Sequence, residues 1–352
     1  MTLRAGDWVE VRSKDEILRT LDKNGRLETL PFMPQMFDYC GRRFRVYKRA
    51  HKTCDTVYPV RGRRLANSVH LELRCNGNAF GACQAACLIF WKEAWLKPVD
   101  SAAADAKTSA EGVRDSTKSN AGMGCTEEDV WKSTSGPDPQ SQDGKRYFCQ
   151  ATELPNYTSD LHWWDIRQYV EDYTSGNEKL GRIVSGLIYG GYYMLTYRRL
   201  IGGPTRWLYD RFQALIGGVP YPRKVGKIPP DQPTPTCTLN LQPGELVRVK
   251  SHEEILATLD TTPKNRGLWF DAEQVPYCGG VYRVRARVER FLNERTGRVT
   301  LLKTPAVILE DVWCRSRYSD CRMFCPRSIY SWWREIWLER VVDGAPQAKP
   351  HS

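Results

Sequence analysis

The stretch GDWVEVRS, Gly6 to Ser13, alternates apolar and polar side chains with the period of two that a half-buried strand requires. It runs into SKDEILRTLD, where Ser13 stands at a helix N-cap and Glu16 at the capping-box position three residues on. GRRFRVYKRA, from Gly41, alternates again and predicts a second, longer strand. The same order of signals returns far along the chain: ELVRVKS, then SHEEILATLD with Ser251 and Glu254 as cap and box, then GGVYRVRARVER.

The two series match residue by residue. Gly6–Asp22 and Gly244–Asp260 share ten of seventeen positions without a gap, and the same register places Phe32 opposite Phe270, Cys40 opposite Cys278 and YCGRRFRV opposite YCGGVYRV. Further on, with one residue of slippage, Cys75, Cys83 and Cys87 fall opposite Cys314, Cys321 and Cys325, and after four extra residues in the second segment WKEAWL (Trp91 to Leu96) meets WREIWL (Trp333 to Leu338). Each matched segment is about a hundred residues, enough for a domain.

The expected architecture is therefore α+β, with two repeated small β-rich modules, an SH3-like barrel being the model for their core, each closed by a C-terminal helix. The first module spans 1–98 and the second 244–342, with a tail at 343–352. Residues 99–145 are rich in Ser, Ala, Gly and Asp with few aromatics, which predicts a disordered linker. Residues 146–228 carry aromatic-rich helical spacing (LHWWDIRQYVEDY, LGRIVSGLIYGGYYMLTYRRL, PTRWLYDRFQALIGG) and predict a helical middle module. Its aromatic surface reads first as packing, with a dimer face or a membrane-surface helix as the other outlets. A proline-rich spacer follows at 229–243.

Two sets of four thiols recur in this arrangement: Cys40, Cys75, Cys83 and Cys87, and Cys278, Cys314, Cys321 and Cys325. If Cys83 and Cys87 occupy a helical turn, their i, i+4 spacing puts both sulfurs on one face. Four convergent thiolates are the donor set of a closed tetrahedral zinc site, and equally of an iron-sulfur cluster; zinc is favoured because small sheets gain stability directly from such a site. The remaining alternatives are metal-free core cysteines and disulfides. Trp91 with Trp95, and Trp333 with Trp337, have helical spacing and read as packing. Cys54, beside Lys48, Arg49, His51 and Lys52, has no counterpart in the second segment and is a candidate reactive thiol, since cations lower a thiol pKa. Cys125, Cys149 and Cys237 are given no role.

Catalytic patterns are missing. No HExxH, GxGxxG, GxxxxGK[ST] or GxSxG occurs, and His162, Asp165, Glu171 and Asp172 read as polar residues on an exposed helical face, so the chain is taken as non-enzymatic. The net charge is +11, with +8 in residues 1–98, +4 in 244–341 and −1 elsewhere. Arg42, Arg43, Arg45, Lys48, Arg49, Lys52, Arg61, Arg63 and Arg64, interleaved with Phe44, Tyr47 and Tyr58, form a candidate nucleic-acid contact, or simply a solvated basic edge. The start, MTLRAGDWVEVRS, has no apolar leader core and no run is long enough to cross a bilayer, so the expectation is a cytoplasmic protein without an integral membrane segment. The function that follows is a metal-binding, tandem-repeat binding or scaffold protein, with nucleic acid or another acidic macromolecule, or a protein, as partner. An iron-sulfur redox or biosynthetic protein and a metal-free interaction module stand as the alternatives.

Overall fold

The strand expected at the start of the chain forms at Trp8–Val11, with Val9 and Val11 turned into the core and fully buried. It lies between Arg43–Arg45 and Leu96–Pro98, both antiparallel, so that Val9 faces Phe44 on one side and Pro98 on the other. The computed structural model describes residues 2–57, 59–99, 124–198, 202–216, 218–319 and 321–341. They divide into two compact units, the first comprising 1–180 with 291–300 and 325–327, the second 181–290 with 301–324 and 328–352. The architecture is mixed α+β, built from many small antiparallel sheets and few helices, and among the described residues no sheet closes into a barrel.

In the first unit, helix α1 (Lys14–Leu18) begins at Ser13, whose hydroxyl and backbone N–H both donate to the Glu16 carboxylate at 2.8 and 3.0 Å. Lys97 and then Ser13 hold that carboxyl down at about 2. Residues 124–145 correct the expectation of a disordered linker: they hold helix α2 (Glu127–Lys132), capped by Thr126, and a hairpin of Ser135–Pro137 with Lys145–Tyr147. The fully buried Val130 anchors α2, a gain the composition of the stretch did not disclose. The rest of the expected linker, 100–123, and the tail at 343–352 lie outside the described residues. Helix α3 (Arg167–Thr174) corrects another reading, because Asp172, taken as exposed, is wholly buried.

The helix expected at the end of each module does not form. Trp91–Lys92 is a strand and Glu93–Trp95 a 3-10 turn, and Tyr330–Trp333 and Glu335–Trp337 behave alike. All four tryptophans are nevertheless fully buried, as packing requires. Phe32 packs edge-on against Trp91 and Trp95 at 6.4 and 5.1 Å, and Trp95 Nε1 donates to Thr20 Oγ1 at 3.1 Å.

The second unit contains helices α4 (Leu180–Arg198, starting at the last residue of the first unit), α5 (Gly202–Ile216) and α6 (His252–Leu256), the last capped by Ser251 with Glu254. Strand Leu246–Val249 lies between Val281–Leu292 and Leu338–Arg340 in a five-stranded sheet that also takes in Val299–Trp313 and Tyr330–Trp333. Phe270 packs against Trp333 and Trp337 at 6.1 and 5.3 Å, and Trp337 Nε1 donates to Thr258 Oγ1 at 2.9 Å. Because each cap satisfies its helix locally, Ser13→Ala and Ser251→Ala are each expected to cost about 1 kcal/mol. Denaturant midpoints measure this, and unchanged midpoints refute it.

Candidate functional site

The thiols of CNGNAFGACQAAC are placed by a loop closed at its base. Arg74 pairs with Leu88 across an antiparallel bridge, the Cys75 N–H donates to the Cys87 carbonyl at 2.8 Å, and the Ile89 N–H donates to Leu73 at 3.0 Å. Between these bonds the chain forms no helix, correcting the expected turn that would carry Cys83 and Cys87. Gly81, Ala82 and Ala86 adopt φ of +60°, +54° and +48°, and such left-handed residues interrupt any α-helix. Gly77, at φ +73°, is required twice over, since a Cβ there would stand 1.9 Å from the Cys83 carbonyl oxygen.

Cys75, Cys83 and Cys87 line one cavity of about 40 Å³, and Cys149 is the fourth cysteine that lines it. That volume exceeds what a single water needs. Cys149 is held there by its neighbour Gln150, whose Nε2 donates to the Pro31 and Phe90 carbonyls at 3.0 and 2.9 Å while its Oε1 accepts from the Phe90 N–H at 2.8 Å. Its own N–H donates to Thr152 Oγ1 at 2.9 Å, and the Leu292 N–H donates to Cys83 Sγ at 3.3 Å. Arg327, 1% exposed by side chain, lines the same cavity and is paired with Glu294 at 2.6 Å.

Burial is the largest influence on all four thiols and favours the neutral form. It pushes Cys83 and Cys149 up to about 11 and Cys87 up to about 12, and raises Cys75 further still, with neighbouring cysteines adding to the rise. As placed, the cluster is four protonated thiols rather than a nucleophile. Among the described residues no three His, Cys, Asp or Glu side chains already stand in positions that would hold a metal ion.

Other sulfurs of the two expected sets are placed differently. Cys40 follows the 3-10 turn Pro34–Tyr39 and has Lys14, Asp38 and Glu127 as its charged neighbours; burial raises it to about 11, and it does not line the cavity. Cys278 follows the turn Ala272–Tyr277 and is raised by burial to about 12. The Cys314 N–H donates at 2.7 Å not to Cys325 but to Ile329, so the position that Cys87 holds opposite Cys75 is held by an isoleucine opposite Cys314. Cys321 belongs to the second unit with Cys278 and Cys314, whereas Cys325 belongs to the first, as Lys52 does. Cys54, the candidate reactive thiol, is 1% exposed on the strand Lys52–Asp55.

The basic stretch is largely neutralised from within. Arg43 pairs with Glu10, Lys48 with Glu178, Arg49 with Glu93, Lys52 with Asp172, Arg61 and Arg63 with Asp160, and Arg64 with Glu171. Arg42 lies over the Tyr39 and Phe44 rings, and Arg45 donates to the Gly6 carbonyl. Tyr58 lies outside the described residues. Cys149 is the site residue that sequence reasoning missed: it has no counterpart in the second segment, so an argument from doubling is blind to it. No protein-family model matches this chain, and comparison with curated proteins gives no match.

Proposed function

We propose that the first unit is a metal-stapled binding or scaffold module in which Cys75, Cys83, Cys87 and Cys149 hold one thiophilic ion, zinc by the chemistry of the donor set. The observation that carries this reading is the single cavity walled by four thiols drawn from separate stretches of chain. Loading displaces the thiol protons, and the negative charge so created falls beside Arg327. Such an ion ties the segment around Cys149 to the loop of Cys83 and Cys87.

On this reading the segments 1–98 and 244–342 are copies of one module that share strand, capped helix and tryptophan pair. Among the described residues the cavity lined by four cysteines belongs to the first unit, so the proposal is one ion per chain, held there. A nucleic-acid partner is not part of the proposal, because most of the cations that would contact phosphate are engaged by carboxylates.

Elemental analysis of chain purified anaerobically without added metal tests it. About one zinc is expected, as for one closed site, lost in Cys87→Ser and in Cys149→Ser and kept in Cys40→Ser. Cobalt titrated into stripped protein should give the intense absorption of a thiolate-bound ion, a readout that survives if a cysteine variant folds poorly. Iron with sulfide, or no metal and no cobalt spectrum, overturns the zinc reading.

A further inference from the structure

Helix α4 is apolar nearly all round, and only one of its faces is used by the unit that contains it. Ile183, Tyr189, Tyr193 and Thr196 turn inward, and the tyrosines pack with Tyr209 and Tyr318. On the other side Val184, Leu187 and Ile188, spaced i, i+3, i+4, are exposed, Ile188 by 68%. Helix α5 repeats the pattern: Leu208, Phe212 and Leu215, spaced i, i+4, i+7, form an exposed stripe with Trp207 beside it, and Leu215 is 85% exposed. The helices belong to one hairpin, since the Tyr192 and Tyr209 rings stack at 5.2 Å and the Tyr192 hydroxyl donates to the Thr205 carbonyl at 2.9 Å. Exposed apolar stripes on adjoining helices are a surface awaiting a partner rather than scattered side chains.

Charge identifies the partner. Residues 179–227 contain nine Lys and Arg and a single acid, Asp210, a net +8 within a chain whose total is +11. That acid is already paired with Lys224 at 3.0 Å. A segment so basic repels its own copy, which disfavours self-association through it, and attracts an acidic surface. Arg211 lies over Trp207 at 5.3 Å and Arg206 over Tyr221 at 5.0 Å, joining aromatic rings to cations as at the boundary between headgroups and acyl chains. No helix among the described residues is long and apolar enough to cross a membrane.

We propose that the α4–α5 hairpin lies on anionic lipid bilayers, its leucine, phenylalanine and tryptophan side chains entering the acyl boundary and its arginines meeting the headgroups. This docking does not depend on the thiol-lined site of the first unit, so the two readings fail separately.

The test is flotation of the full chain with phosphatidylcholine–phosphatidylserine vesicles and with pure phosphatidylcholine vesicles, alongside its oligomeric state by light scattering. The expected result is binding to the anionic vesicles, weakened by added salt. The Trp207→Ser, Leu208→Ser, Phe212→Ser triple variant should lose about tenfold or more of that affinity. All three side chains are exposed, so folding and metal content should not change. Arg206→Glu with Arg211→Glu should abolish the preference for anionic lipid. Absence of binding to either vesicle overturns the proposal, as does a dimer that the triple variant dissolves in a chain that ignores vesicles.

Discussion

Lys52→Met is expected to destabilise the first unit by about 3–5 kcal/mol, the cost of stranding a buried charge. Lys52 Nζ donates to Asp172 Oδ2 at 2.5 Å and lies 3.4 Å from Gln168 Oε1, and neither charged side chain exceeds 3% exposure. Burial pushes the Lys52 pKa down, and the Asp172 carboxylate opposes that fall. Removing Lys52 leaves the Asp172 carboxylate buried without its ammonium partner. The double variant Lys52→Met, Asp172→Leu should recover most of the loss, because it is the unpaired charge and not the missing bridge that is costly. The exposed pair Lys132–Glu128, an i, i+4 contact at 2.7 Å, provides the contrast: solvent screens it, and its loss should barely move the unfolding midpoint. Denaturant unfolding of the three variants decides the matter. A loss at Lys52→Met no larger than at Lys132→Met, or no recovery in the double variant, refutes it.

A second large effect should appear on acidification. His70 is fully buried, with Nδ1 2.8 Å from the Ile89 carbonyl and its ring 4.5 Å from that of Phe90. Burial, against the pull of the Ile89 carbonyl, lowers its pKa from 6.5 to about 3. Between those two values the unfolded chain takes up a proton that the folded chain refuses, so stability declines as pH falls through the window and is regained as pH rises. The full decline is on the order of 5 kcal/mol for this one group. Glu16, also lowered, drains stability in the same direction, but only below its ordinary value of 4.5. His70→Gln should therefore flatten the slope of stability against pH between 6.5 and 4.5. His252 in the second unit is lowered by burial to about 4 and should give that unit a slope of the same sign. Parallel slopes in His70→Gln and the parent chain would remove His70 as the cause.

Several of these features can be read from short stretches of chain. The alternation of DWVEVRS gives a strand, and Ser13 with Glu16 and Ser251 with Glu254 give capped helices, because both signals are settled within a few residues. The four tryptophans reach the core as their size and company imply, although the helical spacing that suggested it reflects a strand and a 3-10 turn instead. Spacing alone also misleads at Cys83 and Cys87: i, i+4 suits a helix, yet Gly77 and the left-handed backbone at 81, 82 and 86 make a loop.

The sequence by itself determined the order of strands and caps, the basic bias of 42–64 and the thiol-rich stretch from Cys75 to Cys87. Only the tertiary structure decided that Cys149 joins those thiols while Cys40 does not, that carboxylates as distant in sequence as Asp172 and Glu178 neutralise the basic stretch, and that the Val130 helix is anchored at all. The physical reason is that periodicity and capping report what a segment does with its immediate neighbours. Which distant segments share a cavity or an ion pair depends on desolvation and close packing, and those terms exist only once the chain has closed on itself.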